Sequence, residues 1–436
     1  MLELKDSIEL SEEQKYLYDL MENTNQNLFI TGKAGTGKSY LLKYFKEHTN
    51  KKVLYTAPTG ISAINIGAVT LHSAFGFDNL KEGTKYFKLP QVKTEILRNL
   101  EVLVIDEISM VRVDILEQID QILQFYNYNK MPFGGKQIIV FGDIFQLPPV
   151  VKTREERACF NDKYGDIYFF NSNAYFNGNF QIKELKKIYR QTDRTFIDIL
   201  NTIREGVLPE EYENILNQHY VANVPDSIIR LVTKNKIREE INEENLIKIN
   251  RKEYCYNAEI FYNPDLKNVY SVDSNQYMCD FKLKLKEGAH IMMITNDNEH
   301  KRWVNGTFGT ITELGDNDMK VLIHGNEYTV QKADFIKYRC YYNKEKRKLT
   351  YIEESRVRQF PVILAYAVTI HKSQGMTYQE VVCDLDGCFE SGQAYVALSR
   401  CVSLDTLYLV RKISKKDVFT NNSIMKFYNN QIKPAV

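Results

Sequence analysis

The sequence predicts an α/β protein with two lobes, each built on a parallel sheet, and a small β-barrel inserted into the second lobe. Three observations predict this class. Short apolar runs alternate with helical patterns from residue 26 to about 150, and the same alternation returns after residue 180. Such runs are typical of strands that are buried on both faces of a parallel sheet. Between residues 285 and 360 the pattern changes to short strands separated by Gly, Asn and Asp turns.

Length and composition are those of a soluble protein with more than one domain. The 436 residues exceed the roughly 250 to 300 at which a single core stops growing. No apolar run approaches the ~18 residues of a membrane span, and the acidic start "MLELKDSIELSEEQ" has no apolar core. We therefore expect no signal peptide, no membrane partner and a cytoplasmic location, nucleoid-associated if the source is bacterial.

Composition leaves the partner open. The net charge of +1 gives no sign of nucleic acid, so any such binding must rest on local patches. The 29 Tyr and 23 Phe residues are explained either by stacking platforms or by an AT-rich genome. The seven cysteines form no C-x-x-C pair, and we interpret them as reduced thiols outside any zinc cluster.

The first lobe is predicted over residues 1–180. Its strands are "NLFITG", "KVLYTAP", "VLVIDE" and "QIIVFGD". Between the last two strands, "DILEQIDQILQFY" predicts a helix that packs on the sheet through one apolar face. The face comprises Ile115, Ile119, Ile122, Leu123 and Tyr126.

The second lobe is predicted over residues 181–284 and 361–436. Its strands are "IIRLVTKN", "VILAYAVTIHKSQG", "QEVVCDL" and "LYLVRK", and "RTFIDILNTI" predicts a helix. The insertion, residues 285–360, includes the hairpin-like "HGNE". Its lysine-rich "YNKEKRKL" is interpreted as a solvated loop or as a patch that contacts a nucleic-acid strand.

The segment "GKAGTGKS" is a P-loop, because it follows a predicted strand and opens an amphipathic helix. Its glycines let backbone N–H groups surround phosphate oxygens, and the helix N-terminus adds positive potential. Lys38 would reach the β and γ phosphates of ATP, and Ser39 would hold Mg²⁺ through its hydroxyl. The predicted nucleotide-binding residues in this loop are Gly32, Gly35, Thr36, Gly37, Lys38 and Ser39.

Polar residues at two further strand ends complete the predicted hydrolytic site. Asp106 and Glu107 would supply a metal ligand and a base that polarises water, although an acidic pair is also common in a solvated turn. Gln146 would orient the attacking water or sense the γ phosphate, whereas Asp143 is interpreted as functional or only as a cap. Arg190 and Arg400 lie beyond the first lobe, so they would reach the phosphates across a cleft or else form surface ion pairs.

These segments resemble the motif series of the Pif family of superfamily-one DNA helicases, which is related to RecD and the phage Dda enzyme. The resemblance spans about residues 10–412 and is that of the compact bacterial or viral type. "EISM" followed by "PFGG" and "FQLPPV" is closer to Pif proteins than to Dda-like ones. The series is "GKAGTGKS", "APTGISAINIGAVTLHSAFG", "VIDEISM", "PFGGKQIIVFGDIFQLPPV", "LKKIYRQ", "VTIHKSQGMT" and "YVALSRC".

The resemblance implies two RecA-like lobes, an SH3-like insertion and a short pin near residues 77–92. It implies that Gln14 contacts adenine. The implied catalytic residues are Lys38, Asp106, Glu107, Gln146, Arg190 and Arg400, with Gly375 beside the γ phosphate. The implied strand contacts are Thr59, His72, Phe75, Thr369, His371 and Lys372.

The turn "TIHKSQGMT" carries hydroxyls and a cation suited to strand phosphates, and His72 and Phe75 would add stacking. Gln374 and Gly375 can report the nucleotide state to the same turn. Taken alone, His371 is equally well interpreted as a buried structural histidine.

The resemblance implies an ATP- and Mg²⁺-dependent monomer that moves 5′ to 3′ on single-stranded DNA and unwinds tailed or forked duplexes. Two alternatives stay open, an ATP-dependent clamp or sensor without processive unwinding and an RNA-directed helicase. A small-molecule kinase would need neither the second lobe nor "VTIHKSQG".

Overall fold

The computed structural model describes residues 10–77, 89–151, 153–225, 228–264, 266, 272, 274, 277–297, 299–343 and 345–433. The pin predicted near residues 77–92 lies largely outside the described residues. Within the described ranges, no helix has both the length and the apolar character that crossing a membrane requires.

The helices and strands are numbered in chain order. The helices are α1 Glu12–Asn23, α2 Lys38–His48, α3 Gly60–Asn65, α4 Leu71–Phe75, α5 Gln91–Asn99, α6 Val113–Asn127, α7 Arg154–Tyr164, α8 Asn173–Asn177, α9 Arg194–Arg204, α10 Glu210–Asn217, α11 Asn235–Lys248, α12 Gln393–Leu398 and α13 Asn422–Phe427. The strands are β1 Leu28–Gly32, β2 Val53–Ala57, β3 Val69–Thr70, β4 Val102–Ile105, β5 Gln137–Phe141, β6 Gln181–Leu185, β7 Arg230–Val232, β8 Glu253–Asn257, β9 Glu259–Tyr262, β10 Lys282–Lys286, β11 His290–Met293, β12 Phe308–Leu314, β13 Asp318–Ile323, β14 Asn326–Gln331, β15 Ala333–Asn343, β16 Lys348–Gln359, β17 Val362–Leu364, β18 Ala367–Thr369, β19 Val381–Cys383 and β20 Leu407–Leu409.

The first lobe contains a parallel sheet of six strands in the order β3-β2-β4-β5-β1-β6. Strands β1, β2, β4 and β5 are buried along their whole length, as their continuous apolar runs predict. Helix α6 packs on this sheet through Ile119, Ile122, Leu123 and Tyr126, but Ile115 is only partly buried. Leu116 is buried in its place, so the true face is rotated from the predicted one.

The second parallel sheet has the order β18-β7-β19-β20. The predicted run "VILAYAVT" is divided between two sheets, because β17 pairs antiparallel with β11 whereas β18 pairs parallel with β7. Helix α9 buries Phe196, Ile199, Leu200 and Ile203 on one face, which confirms the helix predicted from "RTFIDILNTI". The predicted α/β class, with two parallel sheets and an antiparallel insertion, is confirmed.

The antiparallel strands extend from Glu253 to Leu364, which is wider than the predicted 285–360. They form sheets in the orders β14-β13-β12-β11-β17, β15-β16-β9 and β10-β8. Strands β8 and β9 belong to the insertion because they pair with β10 and β16, which follow them in the chain. The predicted hairpin at "HGNE" is present, with His324 and Gly325 both at positive φ as a tight two-residue turn requires.

The long hairpin of β15 and β16 packs against the first lobe. The Tyr351 hydroxyl accepts a hydrogen bond from the Tyr55 N–H at 2.9 Å and donates to the Val53 carbonyl at 3.3 Å. Both partners lie on β2, where this hydroxyl satisfies backbone groups that the short strand β3 does not reach. The hairpin thereby fixes the insertion next to the first lobe.

Candidate nucleotide and strand site

The P-loop joins β1 to α2. Gly35 and Gly37 have φ values of 78° and 85°, in the left-handed region that favours glycine. A Cβ atom on Gly35 would lie 2.5 Å from the Cβ of Arg190, so the loop also needs glycine to let the Arg190 segment approach. The Tyr189 N–H donates to the Gly35 carbonyl at 2.8 Å and holds the two segments together.

Lys38 is held by the loop itself. Its ammonium donates to the carbonyls of Gly32 at 2.6 Å and Lys33 at 3.0 Å. Burial lowers the pKa of Lys38, whereas the nearby carboxylates of Asp143 and Glu107 raise it. The structure therefore places a desolvated cation at the head of the helix, where phosphate oxygens would stabilise it further.

Asp106 and Glu107 follow β4 as an acidic pair, in which Asp106 is buried and Glu107 is half-buried. Burial, and then the charge of Glu107, raise the pKa of Asp106 to about 7. Burial also raises the pKa of Glu107, which lies in the left-handed region at φ 51°. That conformation costs a non-glycine residue about 1 to 2 kcal/mol. Two carboxylates kept together at such a position are typical of a site that takes a cation or a proton.

The residues present fit Mg²⁺. Ser39 and Asp106 line one cleft of about 840 Å³, together with Glu107 and Gln374. In the part of the chain that the structure describes, no group of three or more His, Cys, Asp and Glu could form a cage for a metal ion. Mg²⁺ is commonly held by one or two protein oxygens, with phosphates and water supplying the rest. One hydroxyl and one raised-pKa carboxylate match that donor set.

Arg190 and Arg400 reach the P-loop from outside the first lobe. Both line a cavity of about 380 Å³ that also contains Lys38, Ser39 and Glu107. Arg190 donates to the Ser399 carbonyl at 3.0 Å, and Arg400, which is 2% exposed, donates to the Val396 carbonyl at 3.0 Å. Burial, and then the charge of Arg400, lower the pKa of Arg190. An incoming anion would therefore relieve the repulsion between two desolvated guanidinium groups.

Gln374 connects the distant turn to the acidic pair. Its amide nitrogen donates to Glu107 Oε2 at 3.0 Å and to Gln146 Oε1 at 3.3 Å. The adjacent Gly375 has φ 84° and lines the same cavity as the P-loop. A residue more than two hundred positions away in sequence thus contacts both groups predicted to handle the attacking water.

Gln14 secures the P-loop from the first helix. It is 3% exposed, its amide nitrogen donates to the Gly37 carbonyl at 3.4 Å, and its oxygen accepts from the Ser11 N–H at 3.1 Å. The second bond belongs to a capping box at the start of α1. In this structure Gln14 therefore positions the loop, and its contact with adenine stays a prediction.

Comparison with known proteins identifies the family. A sequence profile described as PIF1-like helicase matches residues 9–214. The ATP-dependent DNA helicase Pif1 of Bdellovibrio bacteriovorus is 33% identical over 428 residues, which cover 97% of this chain and 92% of that protein. The chain belongs to the Pif1 family of helicases.

Two solved Pif1 structures from Bacteroides, both 35% identical to this chain, show which arrangement it adopts. The complex with ADP-AlF4 matches with a TM-score of 0.87 and covers 97% of this chain and 98% of that one. The structure bound to ssDNA matches with a TM-score of 0.67 and covers 97% of both. The lobes and insertion of this Pif1-family chain are thus arranged more as in the complex without ssDNA. The unliganded Bacteroides structure matches nearly as well, with a TM-score of 0.85, so the bound DNA and not the nucleotide analogue accounts for the difference.

On the first lobe, only part of the predicted strand-contact set is accessible. His72 is exposed on α4, and the Thr59 hydroxyl accepts from the Ser62 N–H and so caps α3. The prediction that Phe75 stacks on a nucleic-acid base is wrong for this structure, because its ring is wholly buried and stacks on Phe77 with the centroids 5.8 Å apart. Its segment contains only five helical residues, too few for the sequence to show which face is inside.

On the second lobe, the predicted turn has a buried and an accessible part. Thr369 is 4% exposed and its hydroxyl accepts from the Lys372 N–H at 3.3 Å, so its hydroxyl stabilises the turn. His371 is partly exposed and pairs with Glu390 at 3.0 Å. Burial, and then Arg238, lower the pKa of Lys372. A strand phosphate near Lys372 would offset both effects.

Sequence reasoning missed the buried cluster of Asp143, Arg204 and Tyr395. The Arg204 guanidinium donates to Asp143 Oδ1 at 2.9 Å, and their side chains are 1% and 0% exposed. The guanidinium also lies over the Phe145 ring at 4.2 Å. Asp143 does act as a cap for the Phe145 N–H, but its main partner is this cation. A lone arginine on an amphipathic helix, 61 residues away, carries no sequence signal for such a pair.

We expect Arg204→Met to destabilise the protein by about 3 to 5 kcal/mol, because it leaves the buried Asp143 carboxylate without its cation. Urea unfolding followed by fluorescence measures the loss. The double variant Asp143→Leu with Arg204→Met is the matched control and should recover much of the stability, since neither charge is left. Equal stability of Arg204→Met and the unaltered chain would contradict the role of this ion pair.

We expect Gln374→Ala to lower the DNA-stimulated kcat for ATP by about tenfold, with the KM for ATP changed by less than about threefold. The substitution removes the donor that orients Glu107 and Gln146 but leaves the P-loop contacts in place. Steady-state ATPase assays with and without oligo-dT measure both constants. Gln331→Ala, on the exposed end of β14, is the control. An unchanged kcat would remove Gln374 from the hydrolytic site.

Proposed function

We propose that this chain is an ATP-dependent DNA helicase that moves 5′ to 3′ along single-stranded DNA and unwinds duplex DNA. The observation that carries the proposal is the meeting of both lobes around one cavity. Lys38 and Glu107 come from the first lobe, and Arg190, Gln374 and Arg400 come from beyond it. A nucleotide in that cavity would contact both lobes, so its hydrolysis would change how the lobes fit together.

The first lobe supplies binding and the base. Backbone N–H groups of the P-loop and the Lys38 ammonium would bind the β and γ phosphates. Ser39 and Asp106 would hold Mg²⁺, which when bound neutralises the developing phosphate charge. Glu107 would accept a proton from the attacking water, which the amide groups of Gln146 and Gln374 would orient. The raised pKa of Glu107 favours that proton transfer.

The second lobe supplies charge stabilisation. Arg190 and Arg400 lie at the cavity, where burial lowers the pKa of both guanidinium groups. Charge that develops on the transferring phosphoryl oxygens is stabilised most by donors that are fixed and desolvated beforehand. The cavity would therefore hydrolyse ATP efficiently only while the two lobes are closed around it.

The single-stranded DNA would lie across the carboxyl ends of the strands in both parallel sheets. Thr59 follows β2, His72 follows β3, and His371 and Lys372 follow β18. Ligands of open α/β sheets bind at this edge. Gln374 lies two residues after Lys372, so the same turn touches the proposed strand path and the water-orienting groups. The structure of the Bacteroides relative bound to ssDNA supports a single-stranded DNA partner for this chain.

A strand-displacement assay tests the direction. The chain should unwind a duplex with a 5′ single-stranded tail and leave the matching 3′-tailed duplex intact, and Lys38→Ala should unwind neither. Unwinding of only the 3′-tailed duplex would falsify the stated polarity. DNA-stimulated ATP hydrolysis without any displacement would instead show a clamp or sensor.

A parallel ATPase assay tests whether the preferred polymer is DNA or RNA. We expect oligo-dT to stimulate turnover more than oligo-rU of the same length, measured at equal salt because phosphate contacts depend on it. Stronger stimulation by oligo-rU would identify an RNA-directed enzyme. A monomer is also proposed, and sedimentation with and without oligo-dT measures it.

A further inference from the structure

Helix α12 is fastened to the first lobe at its beginning. Gly392, which precedes the helix, has φ 79°, and a Cβ atom there would lie 2.2 Å from the Phe145 carbonyl oxygen and 2.9 Å from that of Gln146. The start of α12 therefore lies directly against the segment that carries Gln146. All six helical residues are buried, so the helix has little room to shift by itself.

Tyr395 makes the second attachment. Its hydroxyl accepts a hydrogen bond from the Ala34 N–H at 2.9 Å and donates one to Asp143 Oδ2 at 3.2 Å. A backbone N–H can only donate and a carboxylate can only accept, so the geometry fixes both directions. One hydroxyl thus joins the P-loop, the end of β5 and a helix from the far end of the chain.

Arg400 lies in the turn two residues after the end of α12. The Arg400 guanidinium donates back to the Val396 carbonyl at 3.0 Å, one residue beyond Tyr395. The position of the guanidinium relative to the P-loop therefore depends on a short, buried segment that is attached at two places. The Tyr395 hydroxyl holds it to Ala34 of the P-loop, and the Gln191 amide donates to the carbonyls of Ser399 and Cys401 on either side of Arg400.

We propose that Tyr395 is a positioning residue that sets the distance between Arg400 and the P-loop. The proposal rests on the proposed function, since it gives Tyr395 a part in ATP hydrolysis. Asp143 is kept in place by Arg204, so the carboxylate can hold the hydroxyl toward Ala34. Tyr395 does not line the cavity that contains Lys38, Glu107 and Arg400, so it would act through Arg400.

Tyr395→Phe tests this role, because it removes one oxygen and keeps the ring. We expect kcat for DNA-stimulated ATP hydrolysis to fall by about 10- to 100-fold while KM for ATP changes by less than about threefold. Tyr175→Phe, a partly buried tyrosine that stacks on Phe180 away from the cavity, is the matched control. It should keep kcat within about twofold of the unaltered chain.

A double-variant cycle with Arg400→Ala separates positioning from stability, because residues that act through one another are not additive. In the Arg400→Ala background, Tyr395→Phe should lower the single-turnover rate by less than about twofold. A loss of the same factor in both backgrounds, or an unchanged kcat in Tyr395→Phe, would overturn the proposal. Absence of ATP hydrolysis by the unaltered chain would contradict the proposed function instead.

Discussion

Lys38→Ala is expected to lower ATP turnover by about a thousandfold or more while binding of oligo-dT stays within about threefold of the unaltered chain. The ammonium is desolvated and held at the head of α2, and Lys38 lines the cavity, whereas Lys33, the other lysine of the P-loop, does not. The residues proposed to contact the DNA strand lie at the ends of other β-strands, so oligo-dT binding should survive the substitution. ATPase assays and fluorescence anisotropy of labelled oligo-dT measure the two effects.

Lys43→Ala is the matched control for that variant. Lys43 lies on the same helix, its side chain is 67% exposed, and it forms a long ion pair of 4.0 Å with Glu47. Turnover should stay within about twofold, because exposed pairs of this kind contribute little. Parallel loss of turnover and of oligo-dT binding in a folded Lys38→Ala protein would contradict the separation of the two sites.

Arg400→Ala is expected to lower kcat by about 10³-fold, with ATP affinity changed by less than about threefold. The guanidinium is buried beside the P-loop, where it would stabilise charge that develops only during phosphoryl transfer. Single-turnover hydrolysis and binding of a fluorescent ATP analogue measure the two quantities separately.

Arg400→Lys refines the test of the same position. It keeps a positive charge but loses the planar fork, so we expect an intermediate rate. If Arg400→Ala hydrolysed ATP as fast as the unaltered chain, Arg400 would have no catalytic role. A fall in ATP affinity that accounts for the whole loss would assign it to ground-state binding instead.

The parts of the site that follow from local sequence are the ones the sequence predicts well. The P-loop needs a strand, glycines at positive φ and a helix start within a few residues, and "GKAGTGKS" contains them all. Asp106, Glu107 and Gln146 each follow an apolar strand closely, so their placement at one sheet edge follows from the parallel pattern. Arg190 and Arg400 were found through their flanking motifs.

What the sequence could not predict depends on pairing between distant segments. Strand β9 joins the insertion only because β16, about ninety residues later, pairs with it. The burial of Phe75 is decided by packing against Phe77 and the sheet, and the pair of Asp143 with Arg204 is decided by how the two lobes meet. None of these long-range contacts produces a periodic pattern of residues that a single sequence would show.

The Asp143–Arg204 pair also affects how the chain folds during its synthesis. The last strand of the first sheet ends at Leu185, but Asp143 receives its counter-charge only once Arg204 has emerged from the ribosome, and its hydrogen bond from Tyr395 comes later still. During synthesis the amino-terminal half would leave Asp143 without its cation, and the ring of Phe145 would lack the guanidinium that covers it. A fragment truncated at Leu185 should consequently be a poor source of an autonomous nucleotide-binding domain, whereas one that runs through α9 keeps the ion pair whole.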